Sequence, residues 1–145
     1  MDVQARKRQL RSVLLEKLKR HKEEDRRTKS SCIAHKLLSL KEYVKAKTVL
    51  FYLSFDGEVD TAGMIRTSLM QGKRVAVPAI QTDRRKLIPS LLKDIEEETA
   101  RGPHGTRHPK DAYIRPIEPD TLDLVIVPGL AFDAAGNRLG RGMGY

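Results

Sequence analysis

The 145-residue chain has a single cysteine, no tryptophan and few aromatic residues, which make up 5% of the sequence. Because Cys32 is alone, an intramolecular disulfide is excluded, and no Cys or His near it has the spacing of a metal site. We expect Cys32 to be a small buried apolar side chain. No apolar run approaches the roughly 18 residues that cross a bilayer, and the start, MDVQARKRQL, has no signal-peptide core. The sequence therefore predicts a cytoplasmic protein that does not enter a membrane.

Positive charge is the main compositional excess. The net charge is +9, and residues 1–29 carry eleven Lys or Arg against five Asp or Glu. Such a field favours an anionic partner, for which nucleic acid, a nucleotide and a polycarboxylate metabolite are the alternatives. The length suits one compact domain, and we expect a single domain over residues 1–145.

The first helix is predicted over residues 3–20, because leucines recur at every fourth position, at Leu10, Leu14 and Leu18. On this helix Lys7 and Arg11 fall on the leucine side, whereas Arg8 points elsewhere. Lys7 and Arg11 are therefore expected to face inward. An inward cation needs an anionic partner, and a ligand phosphate and a structural carboxylate serve equally well.

A second helix is predicted from about Glu24 to Ser39, where apolar residues again recur at helical spacing. Ile33, Leu37 and Leu40 are expected on its buried side. A short helical turn is expected to follow it.

A βαβ unit is predicted next. The near-continuous apolar character of KTVLFYLS suits a strand that is buried on both faces. Asp60 or Thr61 is expected to cap a helix over about residues 62–71, which Gly72 ends before a second strand in KRVAVP. This order predicts parallel strands joined by a right-handed crossover, with ligands at the carboxyl ends of the strands.

Three further segments complete the chain. The segment RRKLIPSLL is predicted as an edge strand or hairpin, and RGPHGTRHPKDAYIRPIEP as a loop rich in Pro and Gly. The apolar run LDLVIVP is predicted as a third buried strand, ended by the following PG. Together these elements predict an α/β fold.

The segment GNRLGRGMGY ends the sequence. Gly140, Gly142 and Gly144 remove every second side chain, so backbone N–H groups can approach an anion, and Arg138 and Arg141 add forked cationic donors. Phosphate is the anion that this pattern favours. The alternative is a flexible turn, which short glycine-rich motifs more often form.

Glu58 follows the first predicted strand. At that position a carboxylate can accept hydrogen bonds from the ring or amino N–H groups of a ligand. The alternative is an acid that interacts with the dipole of the following helix.

The run DLVIVPGLAFDAAGNRLGRGMGY closely resembles the signature of the 5-formyltetrahydrofolate cyclo-ligase family, also called 5,10-methenyltetrahydrofolate synthetase. The segments KRQLR, YLSFDGEVDT and GKRVAVP also resemble that family, and they occur in the same order. The resemblance therefore extends over nearly the whole chain.

The resemblance implies a three-layer α/β sandwich with a mostly parallel central sheet flanked by helices, and a monomer for the complete family fold. It implies an enzyme that converts 5-formyltetrahydrofolate, which can be polyglutamylated, to 5,10-methenyltetrahydrofolate with ATP and Mg²⁺. In the family the formyl oxygen attacks the γ-phosphate, and N10 then closes the ring as phosphate leaves. Such a transfer depends on positioning and charge stabilisation.

The resemblance also assigns roles to individual residues. The implied ATP-binding residues are Lys7, Arg8, Arg11, Arg138, Gly140, Gly142 and Gly144. The implied folate-binding residues are Leu53, Glu58, Arg141, Met143 and Tyr145. Of these, Arg141 and Tyr145 lie between the two substrates and are the implied catalytic residues.

Two departures from the family pattern shape our expectations. Met143 stands where the family has Gly or Lys, and family members continue beyond the position of Tyr145 into further elements that include carboxylates for Mg²⁺. We therefore expect a C-terminally truncated chain with no metal ligands of its own, which is marginally stable or self-associating.

Two alternative functions remain open from sequence. A catalytically inactive relative would keep binding alone. A small basic nucleic-acid-binding module would explain the charge, although the low aromatic content and the absence of a recognised motif make nucleic acid the less favoured partner.

Overall fold

The computed structural model describes residues 2–55, 57–81, 86–102 and 106–142. Its helices are α1 (Val3–Arg20), α2 (Glu23–Ser39), α3 (Lys41–Lys45), α4 (Ala62–Met70) and α5 (Ile95–Glu98), with 3₁₀ turns at Asp111–Tyr113 and Pro119–Thr121. Its strands are β1 (Thr48–Leu50), β2 (Arg74–Gln81), β3 (Lys86–Leu92), β4 (Thr99–Arg101), β5 (Arg107–Pro109), β6 (Leu124–Val125), β7 (Ala131–Phe132) and β8 (Arg138–Leu139). None of the described helices has the length and apolarity to cross a membrane.

A four-stranded sheet with the order β3-β2-β1-β6 forms the centre of the fold. Strand β1 runs parallel to both β2 and β6, and Val49 lies opposite Val75 on one side and Leu124 on the other. Strand β3 is antiparallel to β2 and lies at the edge of the sheet. Helix α4 connects β1 to β2, so the predicted βαβ unit and the mostly parallel α/β architecture are confirmed.

The two faces of the sheet have different surroundings, because successive side chains of a strand point to opposite faces. Val49, Phe51, Val75 and Val77 are fully buried on one face. They join Ile65 of α4 in a single core cluster. The alternate residues of the same strands point to the other face, where they line a large cavity that is described below.

The start of α4 is held by both predicted candidates, in different ways. Asp60 Oδ1 accepts a hydrogen bond from Ala62 N at 3.0 Å, so Asp60 satisfies one of the free N–H groups at the helix start. Thr61 is buried, and its hydroxyl donates instead to Tyr52 O at 2.7 Å. Asp60 therefore caps the helix and Thr61 ties it to the end of β1.

The predicted bounds of α1 and α2 are confirmed, but parts of their predicted buried faces are wrong. Lys7 and Leu10 of α1 are exposed, because the helix packs on the rest of the chain only from Arg11 onward. On α2, Ile33, Leu40 and Cys32 are exposed. The inner side of α2 carries Ser30, Ala34 and Leu37, so the prediction for Leu37 is confirmed. The spacing of four and three residues defines one helix face and turns Cys32 away from it.

The LDLVIVP run does not form a strand buried on both faces. Strand β6 is short and pairs with β1 alone among the described strands. Leu124 and Ile126 pack against the core, whereas Val125 and Val127 are 46% and 47% exposed. The run is continuously apolar because its second face borders the cavity rather than a packed layer.

Of the predictions for the remaining two segments, one is confirmed and the other is wrong. The prediction of an edge strand in RRKLIPSLL is confirmed from Lys86 onward by β3. The segment predicted as a loop starts at the last residue of β4 and contains β5, which pairs with β4 as an antiparallel ribbon, and the 3₁₀ turn at Asp111–Tyr113. Long-range contacts that the local sequence does not reveal hold this region, among them the bond from Arg115 N to Ser90 Oγ at 2.8 Å, between residues 25 positions apart.

A buried tyrosine joins α3 to α4. The hydroxyl of Tyr43 lies 2.7 Å from both Ser68 Oγ and Gln71 Oε1. The ammonium of Lys73 lies 4.6 Å from the centre of the Tyr43 ring and donates to the carbonyls of Tyr43 and Ala46 at 2.9 and 2.7 Å. Because Tyr43 and Ser68 are buried, loss of the hydroxyl removes a buried hydrogen bond, although Ser68 Oγ keeps its bond to Met64 O at 2.8 Å.

Substitution of Tyr43→Phe is expected to lower the free energy of unfolding by about 1–2 kcal/mol, the cost of a lost buried hydrogen bond. Urea denaturation followed by circular dichroism measures this change. Phe retains the ring that packs in the core, so an unchanged midpoint would show that the hydroxyl contributes nothing.

A second buried polar contact holds the region after β3. Glu98 is buried and accepts hydrogen bonds from Arg115 Nη1 at 2.7 Å and from Lys93 N at 3.0 Å. Burial by itself raises the pKa of this carboxyl, but the hydrogen bonds from Arg115 and Lys93 outweigh it and hold the pKa below its ordinary value of 4.5.

A carboxyl with a lowered pKa stabilises the fold above its ordinary pKa, and this stabilisation is lost as the pH falls through the lowered value. We therefore expect Glu98→Gln to be less stable than the wild type at pH 7. The difference should shrink progressively when unfolding is measured at decreasing pH below about 4.5. A difference that stays constant over that range would contradict the assignment of charge to Glu98.

Candidate functional site

The second face of the sheet forms the floor of a cavity of about 730 Å³. Leu50 and Tyr52 follow the alternation of β1, and Pro78, Val125 and Val127 supply the corresponding positions of β2 and the β6 segment. Helix α1 and residues 138–142 border the cavity from the opposite side. The site is therefore a cleft with an apolar floor, positioned by parallel strands as expected for an α/β sheet.

Arg11 joins the first helix to the glycine-rich segment at the rim of this cavity. Its Nε donates a hydrogen bond to Gly140 O at 2.9 Å. Gly142 has a φ of +92°, and a Cβ added there would lie 3.2 Å from Arg11 Cζ. Glycine is therefore required at position 142 both by the backbone conformation and by the close approach of the guanidinium group.

Two more arginines of the same segment border the cavity. Arg138 Nε donates to Pro128 O at 2.5 Å. Arg141 lies with its Nε 3.8 Å from Glu58 Oε2 and its Cζ 5.4 Å from the centre of the Phe55 ring. The rim thus brings together three guanidinium groups, a pattern suited to an anion with several oxygens.

Glu58 lines the cavity beside Arg141 of the glycine-rich segment, and its side chain is 15% exposed. Its Oε1 accepts from Phe55 N at 2.7 Å, and its backbone carbonyl accepts from Arg26 Nη1 at 2.8 Å. Glu58 also borders a second, smaller apolar cavity of about 250 Å³ that continues toward Ile33 and Phe132. The carboxylate therefore lies where two cavities meet.

Tyr52 is a site residue that the sequence analysis missed. It lines both cavities, and its hydroxyl donates to Val59 O at 3.1 Å. Burial and the nearby carboxylates of Glu58 and Asp60 raise the pKa of the phenol to about 12, so it is protonated at neutral pH. The alternation from buried Phe51 to Tyr52 was the signal that could have placed it on the open face of the sheet.

The structure brings six of the predicted site residues to one cavity: Arg11, Glu58, Arg138, Gly140, Arg141 and Gly142. Lys7 and Arg8 are exposed, and neither is among the described residues that line this cavity. Leu53 is half-buried and packs against the core cluster instead. The remaining predicted residues lie outside the described part of the chain; they are Met143, Gly144 and Tyr145.

The cavity can hold an anionic ligand at its basic rim and a flat, hydrogen-bonding ring near Glu58. A magnesium site would need several oxygen ligands. Glu58 is the carboxylate that the described lining residues supply, and its two oxygens already face Phe55 N and Arg141. The described residues gather no group of three or more His, Cys, Asp or Glu. They therefore do not form a site for a protein-held Mg²⁺.

Comparison with known proteins gives a consistent family assignment. The sequence model of the 5-formyltetrahydrofolate cyclo-ligase family matches residues 3–145. The mouse 5-formyltetrahydrofolate cyclo-ligase is 33% identical over 149 residues, which cover 100% of this chain and 73% of that protein. The enzyme of Escherichia coli K12 is 34% identical over 113 residues, 77% of this chain and 62% of that protein.

A solved structure supports the same assignment. The structure of 5,10-methenyltetrahydrofolate synthetase from Aquifex aeolicus superimposes with a TM-score of 0.81 at 31% identity, covering 96% of this chain and 69% of that one. The chain thus spans between 62% and 73% of the length of these relatives. Since the match runs through β1, the 57–60 turn and the glycine-rich segment that meet at the cavity, the chain belongs to the 5-formyltetrahydrofolate cyclo-ligase family.

Proposed function

We propose that this chain performs the conversion of 5-formyltetrahydrofolate to 5,10-methenyltetrahydrofolate, with ATP and Mg²⁺. The observation that supports this most is the contact of Arg11 with Gly140 and Gly142, which brings the first helix and the glycine-rich segment to one cavity. Glu58 lines the same cavity. Because the chain spans between 62% and 73% of those relatives, its own activity is a proposal in every respect.

The ATP phosphates belong at the basic rim in this proposal. Arg11 and Arg138 provide planar, forked donors that match phosphate oxygens, and glycines 140 and 142 leave backbone N–H groups open to close approach. Lys7 lies one turn before Arg11 on α1, so its long side chain can reach a triphosphate that extends out of the cavity. Arg8 and Gly144 complete the proposed nucleotide set.

The folate ring belongs beside Glu58. Its carboxylate accepts hydrogen bonds from ring and amino N–H groups, and the apolar side chains of β1 and the β6 segment cover the ring face. Met143 and Tyr145 are the other residues of this proposed subsite. Mg²⁺ would enter with the ATP phosphates, since the described lining residues do not form a site for it.

In the proposed reaction the formyl oxygen bonds to the γ-phosphorus as the bond to ADP breaks. N10 then attacks the formyl carbon, and the carbon–oxygen bond breaks to release phosphate. Arg141 extends from the glycine-rich segment toward Glu58, where its guanidinium group would stabilise the charge that develops on the transferred phosphoryl group. Tyr145 is the second proposed catalytic residue.

Incubation of the purified chain with 5-formyltetrahydrofolate, ATP and Mg²⁺ is expected to raise the near-ultraviolet absorbance, because methenyltetrahydrofolate absorbs there. Omission of any one component should abolish the rise. Nucleotide binding without turnover would instead indicate an inactive relative. Strongly salt-dependent binding of DNA or RNA, without protection by nucleotide, would indicate a nucleic-acid-binding module.

Substitution of Arg11→Ala is expected to weaken ATP binding about tenfold or more, because a charge-assisted hydrogen bond contributes about 1.5–3 kcal/mol. Isothermal titration calorimetry with ATP measures this directly. Arg6→Ala is the matched control, since it removes the same charge from an exposed position on the same helix. Equal losses in the two variants would show that Arg11 acts only through the overall charge of α1.

A further inference from the structure

The position of the Glu58 carboxylate depends on the short turn formed by residues 57–60, and helix α2 contacts both halves of this turn. Arg26 of α2 donates from Nη1 to Glu58 O at 2.8 Å. The rest of its guanidinium group is held by Glu23, with Nε donating to Oε2 at 2.9 Å and Nη2 facing Oε1. The side chain is 21% exposed. Glu23 therefore helps to hold the guanidinium group of Arg26 in the orientation that faces the turn.

Ser30 makes the second contact. It is 6% exposed, and its Oγ accepts a hydrogen bond from Asp60 N at 3.0 Å. Residues four apart lie on the same face of a helix, so Arg26 and Ser30 point toward the turn together. One helix face thus binds a carbonyl at Glu58 and an amide at Asp60, on either side of Val59.

The strand side of the turn is held as well. Tyr52 donates to Val59 O at 3.1 Å, and Thr61 donates to Tyr52 O at 2.7 Å. With contacts from α2 on one side and from the end of β1 on the other, the backbone of Glu58 has little freedom. Its carboxylate is consequently aimed at the cavity by contacts that include Arg26, Ser30 and Thr61, which are not among the residues lining the main cavity.

We propose that Arg26 and Ser30 are positioning residues, which set the affinity of the cavity for the folate ring by fixing the backbone that carries Glu58. This inference rests on the proposed role of Glu58 in the folate subsite. Neither side chain touches the proposed substrate. A carboxylate displaced by a fraction of an ångström loses hydrogen-bond geometry with a rigid ring, so the effect should be selective for folate over ATP.

The test measures the dissociation constants of 5-formyltetrahydrofolate and of ATP by calorimetry for the full chain and its variants. Arg26→Ala is expected to weaken 5-formyltetrahydrofolate binding about tenfold and Ser30→Ala about threefold, each leaving ATP binding within about twofold. Arg26→Lys retains one donor without the fork and is expected to restore part of the affinity.

Two neighbouring substitutions serve as matched controls. Arg27→Ala removes a charge from the next residue, which is 77% exposed and pairs with the same Glu23 at 3.6 Å. Ser31→Ala removes an exposed hydroxyl one residue after Ser30. Both are expected to bind the two ligands like the wild type. Equal effects of Arg26→Ala and Arg27→Ala would overturn the inference.

Glu58→Gln keeps the acceptor for Phe55 N and provides a background that separates positioning from a general structural role. In that background Arg26→Ala is expected to lose most of its effect on 5-formyltetrahydrofolate, because coupled residues are not additive. Full additivity, or an equal loss of ATP affinity, would overturn the inference. Should Arg26→Ala fail to fold by circular dichroism, Arg26→Lys and Ser30→Ala carry the same comparison.

The outcomes distinguish this inference from the proposed function. A wild-type chain that binds ATP but not 5-formyltetrahydrofolate overturns both, since Glu58 then has no folate to bind. A wild-type chain that binds both ligands, with Arg26→Ala and Ser30→Ala unchanged, overturns the positioning role alone.

Discussion

The hydrogen bond from Arg11 to Gly140 O is the contact on which the candidate site depends. It connects residues 129 positions apart in sequence, and it does so at the edge of a cavity. Without it, α1 would present a solvated basic surface, and the glycine-rich segment would be an ordinary turn. Gly142 lies beside this bond with a φ of +92°, a backbone conformation that favours glycine, and a Cβ there would lie 3.2 Å from Arg11 Cζ. The cationic side chain of Arg11 on α1 and the glycines of residues 138–142 thus form one site.

The sheet provides the second constraint. The period of two places the buried Phe51 in the core and Tyr52 on the cavity face. A sheet that is packed on one face and open on the other gives a ligand a rigid apolar floor. The polar groups then come from connecting segments, namely the 57–60 turn and residues 138–142, where backbone conformation rather than strand geometry decides their direction.

Sequence reasoning predicted the elements that have strong local signals, among them α1, α2 and the βαβ unit. It could not decide which face of an amphipathic helix is covered, and therefore treated Lys7 and Arg11 alike, although the helix packs only from Arg11 onward. It predicted LDLVIVP as buried on both faces, because an apolar side chain facing a cavity resembles one facing a core. The local sequence around Arg26 does not indicate its role, since the carbonyl that it binds lies 32 residues away. The predictions that failed are those of burial and of contact partners, which depend on tertiary structure.

The 3.8 Å separation of Arg141 Nε from Glu58 Oε2 has a consequence for ligand entry. At this length the two groups are close to the outer limit of an ion pair, so the pair is weakly held. The positive charge of Arg141 and the negative charge of Glu58 partly neutralise each other at the lining of the cavity. A ligand with an anionic end and an N–H-bearing end can insert between them and give each a better partner. On binding, such a ligand replaces the long ion pair between Arg141 and Glu58 with two shorter contacts, one to each side chain.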